Sequence, residues 1–215
     1  KMLGVGWPRH VLIKEFQAAA GKENVFRDEA ERHTYSYDAA VLEPVIPSLV
    51  LRPASSESLS RVVRLCNENG LPVTVRGAGT NLSGGTIPQH GGVVVLTNAL
   101  NRILELNEED MYAVVEPGVV TARLAGAVEA KGLFYPPDPG SQAVSTVGGN
   151  VAENAGGLRG LKYGVTRDYV MGLHFYDVHG QIVKTGARTV KCVSGYNLAG
   201  LLVGSEGTLG VFEQI

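Results

Sequence analysis

Residues 76–85 read R-G-A-G-T-N-L-S-G-G, a stretch whose chemistry lies in its main chain. The four glycines, Gly77, Gly79, Gly84 and Gly85, let the backbone turn sharply and approach a ligand with no Cβ in the way. Successive free N–H groups in such a turn form a concave nest for phosphate oxygens, and the hydroxyls of Thr80 and Ser83 add donors. No Gly-Lys-Ser/Thr closes the loop, so it is not a Walker loop. No helical pattern with a downstream ribose-binding acid follows, so it is not the G-x-G-x-x-G dinucleotide fingerprint. On spacing alone, a glycine-rich surface loop between two strands is the plainer reading.

A second stretch of the same kind covers residues 136–164, P-P-D-P-G-S-Q-A-V-S-T-V-G-G-N-V-A-E-N-A-G-G-L-R-G-L-K-Y-G. Gly148-Gly149-Asn150 and Asn154-Ala155-Gly156-Gly157 place small residues and amides where backbone can lie flat against a planar ligand. Ser145, Thr146, Asn150 and Asn154 offer polar groups that could orient a large polar ring system. No acid–base pair accompanies them. A set of tight turns between barrel-like strands accounts for the glycine content equally well.

The elements around these stretches alternate helix and strand. Apolar spacing at Val11, Leu12, Phe16 and Ala19 predicts a helix over residues 8–20, closed by Gly21. Residues 25–41 read as a short helix and loops. A strand at 48–51 precedes a helix that starts at Ser55-Ser56-Glu57, buries Leu59, Val62, Val63 and Cys66, and stops at Gly70. The strand at 71–75 completes a β–α–β unit and runs into the glycine loop. Residues 92–96 are a solidly apolar run, as expected of a strand buried on both faces. Residues 103–106 and 111–116 predict a hairpin, and residues 121–131 an amphipathic helix with Leu124, Ala125 and Val128 inward. The prolines of 135–140 exclude helix and central strand there. Strands are expected at 169–178 and 182–185 about Gly180, then a helical turn over 195–203 and a glycine-rich turn over 204–210.

Composition narrows the function classes. At 215 residues the chain can bury a substantial core, and 44% hydrophobic with 19% charged residues is ordinary for a soluble globular protein. A net charge of −2 gives no reason to expect a nucleic-acid or anionic-membrane partner. The 28 glycines cluster at a few points, which argues against disorder. Cys66 and Cys192 belong to no C-x-x-C pattern, and the expectation is two reduced, buried thiols. No apolar h-region follows Lys1 and no stretch is long enough for a membrane span, so a cytoplasmic protein is the default. His10, His33, His90, His174 and His179 are scattered without metal-ligand spacing, so no metal site is expected.

Five motifs occur in order: R-G-A-G-T-N-L-S-G-G, P-P-D-P-G-S, T-V-G-G-N-V-A-E-N-A-G-G, L-K-Y-G-V-T and G-S-E-G-T-L-G-V. Together they resemble the FAD-binding domain of the vanillyl-alcohol oxidase and p-cresol methylhydroxylase type. The chain is most similar within it to the FAD-linked subunit of glycolate oxidase and to D-lactate and D-2-hydroxyglutarate dehydrogenases. The resemblance implies an α+β (α/β) fold of two subdomains with FAD between them. It assigns the pyrophosphate loop to Arg76, Gly77, Ala78, Gly79, Thr80, Asn81, Ser83 and Gly84. Pro137 and Asp138 would lie near the adenosine half, and Ser145, Thr146, Gly148, Gly149 and Asn150 would continue the cradle. Asn154, Gly156, Gly157, Tyr163 and Gly164 would approach the flavin side. Glu206 would bond a sugar or adenine edge, with Gly207, Gly210 and Val211 beside it. Some relatives link the flavin to a His in the first loop; Thr80 stands there, which implies non-covalent FAD.

The expected organisation is an N-terminal helical segment over 1–46 and a FAD-binding domain over 47–215, its subdomains dividing near 116–117. Complete members of the family continue into a cap domain that supplies the base, metal ligands and carboxylate-binding groups. None of these is recognisable here, so no catalytic residue is assigned, and the sequence reads as a truncated piece or a split subunit. In the intact enzyme a base would take the hydroxyl proton of a 2-hydroxy acid while its α-hydride passes to flavin N5. Electron-transfer subunits are further expected partners. Two other readings stand beside this one: a sugar-acid or alditol oxidase of the same superfamily, and a non-catalytic subunit that kept the fold and lost the flavin.

Overall fold

The computed structural model describes residues 10–215. Its first half is a parallel sheet covered by two helices. Helix α1 (His10–Ala20) buries Leu12, Ile13, Phe16, Ala19 and Ala20. Val11, expected inside, lies outside, so the apolar stripe runs through Ile13 instead. The start expected at residue 8 falls outside the described residues. A two-residue strand, β1 (Val25–Phe26), follows where the sequence pattern suggested only helix and loop. Helix α2 (Glu29–His33) is capped by Asp28, whose Oδ1 accepts the Ala30 N–H at 2.9 Å.

Strand β2 (Leu49–Leu51) leads to α3 (Ser56–Glu68), where Ser55 Oγ accepts the Ser58 N–H at 3.1 Å and Leu59, Val62, Val63 and Cys66 form the buried stripe. Strands β3 (Val73–Arg76) and β4 (Val93–Leu96) complete a sheet of order β1-β2-β4-β3. Both β2 and β3 run parallel to β4, and only β1 is antiparallel. All four β4 residues are buried, as a central strand covered on both faces requires. Val93 and Val95 join the core under α1 and α3, whereas Val94 and Leu96 pack on the other face near Phe26 and Tyr35. The glycine loop is the β3-to-β4 connection and leaves from the carboxyl end of a parallel strand, where open α/β sheets hold ligands.

The second half is antiparallel. Strands β5 (Ile103–Asn107) and β6 (Tyr112–Val115) form the expected hairpin. Helix α4 (Thr121–Glu129) buries Leu124 and Val128. Helices α5 (Val147–Glu153) and α6 (Gly160–Tyr163) lie within the second glycine-rich stretch, where the sequence pattern shows no helix. Strands β7 (Gly172–Tyr176) and β8 (Ile182–Gly186), helix α7 (Leu198–Leu202) and strand β9 (Val211–Gln214) complete the chain. The strand expected over 169–178 is shorter, since Tyr169 closes a 3-10 turn over Thr166–Tyr169 and the strand itself begins at Gly172. The sheet order is β8-β7-β9. Ile215 and Val115 exchange both backbone hydrogen bonds, each 2.9 Å, which ties the β5–β6 hairpin to the free side of β9. A second core, with Val119, Leu124, Val151, Leu173, Leu202 and Phe212, fills the space under α4, α5 and α7.

Candidate cofactor site

The two glycine-rich stretches meet at the junction of the two cores. Thr146 caps α5 by accepting the Gly149 N–H on Oγ1 at 3.2 Å. The same Oγ1 sits 2.4 Å from where a Cβ on Gly77 would fall, so the first loop closes on the cap of α5 only because residue 77 has no side chain. The start of α5 is pinned from below. Val147 N–H bonds Val119 O and Gly148 N–H bonds Pro117 O, both at 2.8 Å. A Cβ on Gly148 would lie 2.5 Å from Pro117 Cβ and 2.8 Å from its carbonyl oxygen. Asn150 is buried and donates to Thr121 Oγ1 at 2.7 Å, and Ser145 Oγ shares that hydroxyl at 2.9 Å.

Between these walls lies a cleft of about 250 Å³. Of the residues assigned from the sequence, Gly77, Ala78, Gly79, Thr80, Asn81, Ser145, Thr146, Gly148, Gly149, Asn150, Glu206, Gly207 and Gly210 line it. Ala78, Gly79 and Thr80 donate no main-chain hydrogen bond to any described residue. The cleft therefore presents unspent donors on a glycine floor, the composition that suits anionic oxygens and a flat ring system. Val75, Thr97, Pro117, Glu153 and Phe212 also line it and were not singled out in the sequence. Glu153 lies inside the quoted A-E-N-A-G-G stretch; Thr97 directly follows β4 and Pro117 comes two residues after β6, places that could have marked them.

Other assigned residues sit behind or beside the cleft. Arg76 is buried and does not line the cleft; it lies behind Gly79, its Nη1 donating to Tyr37 O at 2.6 Å and Thr86 Oγ1 at 3.2 Å. Burial lowers its pKa, and Asp38, Tyr35 and Tyr37 oppose the shift. Asp38 is buried on the same side and accepts from Asn81 Nδ2 at 2.8 Å and Thr86 Oγ1 at 3.1 Å. Gly84, at φ +81°, is covered by Leu42. Residues 35–42 thus form the back wall of the glycine loop, a contact invisible at a sequence separation of about forty residues. Val211 belongs to the first core and lies between two residues that line the cleft, Gly210 and Phe212.

The remaining assigned residues form a flank. Asp138 accepts the Arg159 N–H at 3.1 Å, and Gly157 abuts the Asp138 carbonyl. Pro137 is buried beside them. Tyr163 accepts on its carbonyl oxygen from Tyr169 OH at 2.6 Å, and its ring meets Phe134 edge-on at 5.4 Å. Asn154, at φ 50°, ends α5 and accepts the Arg167 N–H on Oδ1 at 2.9 Å, with Gly156 following it. Gly164 turns at φ +82° against Asp168.

Two carboxylates meet at the cleft rim. A Cβ on Gly85 would lie 2.9 Å from Glu206 Oε2 and 3.2 Å from Glu153 Oε1, and Ser83 Oγ donates to Glu153 at 3.2 Å. Desolvation raises the Glu153 pKa, the Glu206 charge adds to the rise, the Ser83 bond opposes it and Asp38 adds a smaller push. The cleft lining contains neither His nor Cys. Among the described residues no three His, Cys, Asp or Glu side chains come together as a metal site, and no helix is long and apolar enough to cross a membrane.

Residues 47–186 match the family model described as FAD binding domain. The chain is 52% identical over 195 residues to a glycolate oxidase subunit of Bacillus subtilis, a match covering 91% of this chain and 42% of that protein. It is 42% identical over 204 residues to a D-lactate dehydrogenase of Anaerostipes hadrus, covering 95% of this chain and 43% of the other. In structure it matches p-cresol methylhydroxylase with a TM-score of 0.79 at 21% identity, covering 95% of this chain and 42% of that one, a likeness of fold. The chain belongs to the FAD-binding domain family and has the α+β fold of the vanillyl-alcohol oxidase type. It spans about two fifths of the length of these curated relatives.

Proposed function

We propose that the chain is the FAD-holding portion of a flavin-dependent oxidoreductase acting on small 2-hydroxy acids of the glycolate or D-lactate type, with FAD bound non-covalently. The names of its relatives support the substrate class. The unspent N–H groups of Ala78, Gly79 and Thr80, held against the capped start of α5, carry the cofactor reading.

In this reading residues 77–81 hold the pyrophosphate, and Ser145, Thr146, Gly148, Gly149 and Asn150 form the opposite wall. Arg76 and Asp38 act from behind by fixing the shape of the loop. Pro137 and Asp138 flank the adenosine half; Asn154, Gly156, Gly157, Tyr163 and Gly164 flank the flavin side; Glu206 reaches a sugar or adenine edge. Bound flavin supplies a hydride acceptor for the α-hydrogen of the hydroxy acid. The residues of this chain bind and orient it, and Thr80 offers no nucleophilic ring nitrogen or thiol for a covalent link. The catalytic base and the carboxylate-binding groups lie on polypeptide beyond this chain, electron-transfer subunits take up the electrons, and the protein works in the cytoplasm.

Equilibrium dialysis against FAD and against riboflavin tests the reading. Two or more main-chain bonds to phosphate oxygens, at roughly 1.5–3 kcal/mol each, predict a preference for FAD of at least about a hundredfold. Equal affinity for both would remove the pyrophosphate role from residues 77–81.

A further inference from the structure

Behind the α5 wall of the cofactor cleft lies a buried polar cluster of Thr121, the first residue of α4, with Ser145 and Asn150. Thr121 is fully buried and does not line the cleft, whereas Ser145 and Asn150 do. We propose that Thr121 is a positioning residue that makes Ser145 Oγ and Asn150 Oδ1 hydrogen-bond acceptors, so that this wall takes the sugar hydroxyls adjoining the cofactor's diphosphate. This assignment rests on the reading of the cleft as the FAD site.

A count of protons fixes the direction of each bond in the cluster. Thr121 Oγ1 has three partners: Ser145 O at 3.0 Å, Ser145 Oγ at 2.9 Å and Asn150 Nδ2 at 2.7 Å. A carbonyl oxygen only accepts, and an amide NH2 only donates. The single Thr121 hydroxyl proton therefore goes to Ser145 O, and Asn150 Nδ2 donates to one lone pair of Oγ1. The Ser145 hydroxyl is left to donate to the other. Its proton is spent there, and Ser145 Oγ has only lone pairs to offer the cleft.

The same count orients Asn150. Turning its amide over would set Oδ1 against an oxygen whose proton is already given, so Nδ2 stays on Thr121. Oδ1 then accepts no hydrogen bond from any described residue. Asn150 is only 3% exposed, yet among the described residues Ser205 Oγ is the one side-chain atom found both buried and unpaired, so Asn150 Oδ1 still reaches open space. The space that Asn150 lines is the cleft. Thr146 is the contrast: its Oγ1 accepts the Gly149 N–H and gives its own proton to no described residue, which leaves it a donor. Anionic oxygens are thus held by the N–H groups of residues 78–80 and by Thr146, and the lone pairs of Ser145 and Asn150 repel them. The donors of FAD nearest its diphosphate are the hydroxyls of the ribityl chain and of the ribose, and these match the two acceptors.

The test is equilibrium dialysis of the parent, Thr121→Val and Thr121→Ser against FAD, FMN, ADP and inorganic pyrophosphate. Thr121→Val keeps the side-chain shape but frees the Ser145 proton and the Asn150 amide. It should weaken FAD binding by about tenfold and leave pyrophosphate within about twofold, while Thr121→Ser restores FAD binding. An accompanying loss on FMN places the acceptors against the ribityl hydroxyls, and one on ADP against the ribose. Ser145→Ala, which keeps the Thr121–Asn150 bond, should weaken FAD by about threefold with pyrophosphate unchanged, and reads the same difference if Thr121→Val does not fold. Where the parent binds FAD, variants that weaken FAD and pyrophosphate alike, or neither, or FAD without FMN or ADP, would overturn the assignment and leave the cofactor reading standing. A parent that binds neither FAD nor pyrophosphate would overturn the cofactor reading and the assignment with it.

Discussion

The contact between Gly77 and Thr146 can be tested by a double-mutant cycle. Gly77 has no positive φ, so Gly77→Ala meets no backbone strain, and by chain entropy alone it would stabilise by about 0.4–1 kcal/mol. The new Cβ, however, falls 2.4 Å from Thr146 Oγ1, far inside contact distance, in a residue that is buried and engaged as the cap of α5. The hydroxyl either stays and strains the loop or rotates and releases the Gly149 N–H. Overpacking and cap loss each cost about 1–2 kcal/mol, so a net destabilisation of roughly 1–2 kcal/mol is expected. Thr146→Ala alone loses the cap, about 1 kcal/mol. With Oγ1 gone, the next atom near the added methyl is Thr146 Cβ at 3.6 Å, an ordinary contact. The double variant should therefore be no less stable than Thr146→Ala alone, leaving a coupling of about 1–2 kcal/mol. Urea unfolding of the four proteins measures it. Additive losses in the double variant would refute the claim that the loop closes on this hydroxyl.

Three further outcomes follow from the same geometry. Burial pushes the Cys66 thiol up to about 12, whereas Cys192 is exposed; a thiol–disulfide exchange reagent at pH 8 should titrate one thiol in the folded chain and two after unfolding, and two fast thiols would contradict the packing of α3. Asp38→Ala removes acceptors from Asn81 and Thr86 and leaves the Arg76 guanidinium without its nearby charge, so stability should fall by about 2–4 kcal/mol, and a loss under about 0.5 kcal/mol would mean that the back wall is not structural. Because the Glu153 pKa is raised in the folded state, folding favours its protonated form, and its carboxylate costs stability as pH rises from the ordinary carboxylate value through the raised one. Glu153→Gln should accordingly raise Tm at pH 8, with the gain gone near pH 4; a variant less stable at pH 8 would contradict the burial of that carboxylate.

Much of the first half was legible because its elements are locally consistent. The β4 run is continuous in valine and leucine, α3 carries both a cap and a four-residue apolar stripe, and Gly70 ends it at φ +60°. Helix α5 was not legible: two glycines and an asparagine in seven residues oppose helix formation locally. Its glycines are set by neighbours, Gly148 by the Pro117 backbone and Gly149 by Thr146. Strand β1 escaped for a related reason, since two residues carry no periodicity and exist as strand only through pairing with β2. The direction of Arg76 was equally hidden. Its place beside the glycine loop suggested a ligand contact, but its partners Tyr37 and Asp38 are brought to it by the tertiary fold. The glycine motifs contain much of the cleft lining, because close backbone packing leaves glycine in the sequence; Thr97 and Pro117 lie outside those motifs and are marked only by their place after strands.

The most direct test of the central claim is amide hydrogen exchange across the chain with and without saturating FAD. The account predicts slowing by at least about tenfold at Ala78, Gly79 and Thr80, whose N–H groups donate to no described residue in the structure. FAD binding that leaves those three amides unchanged, with protection appearing elsewhere, would contradict it.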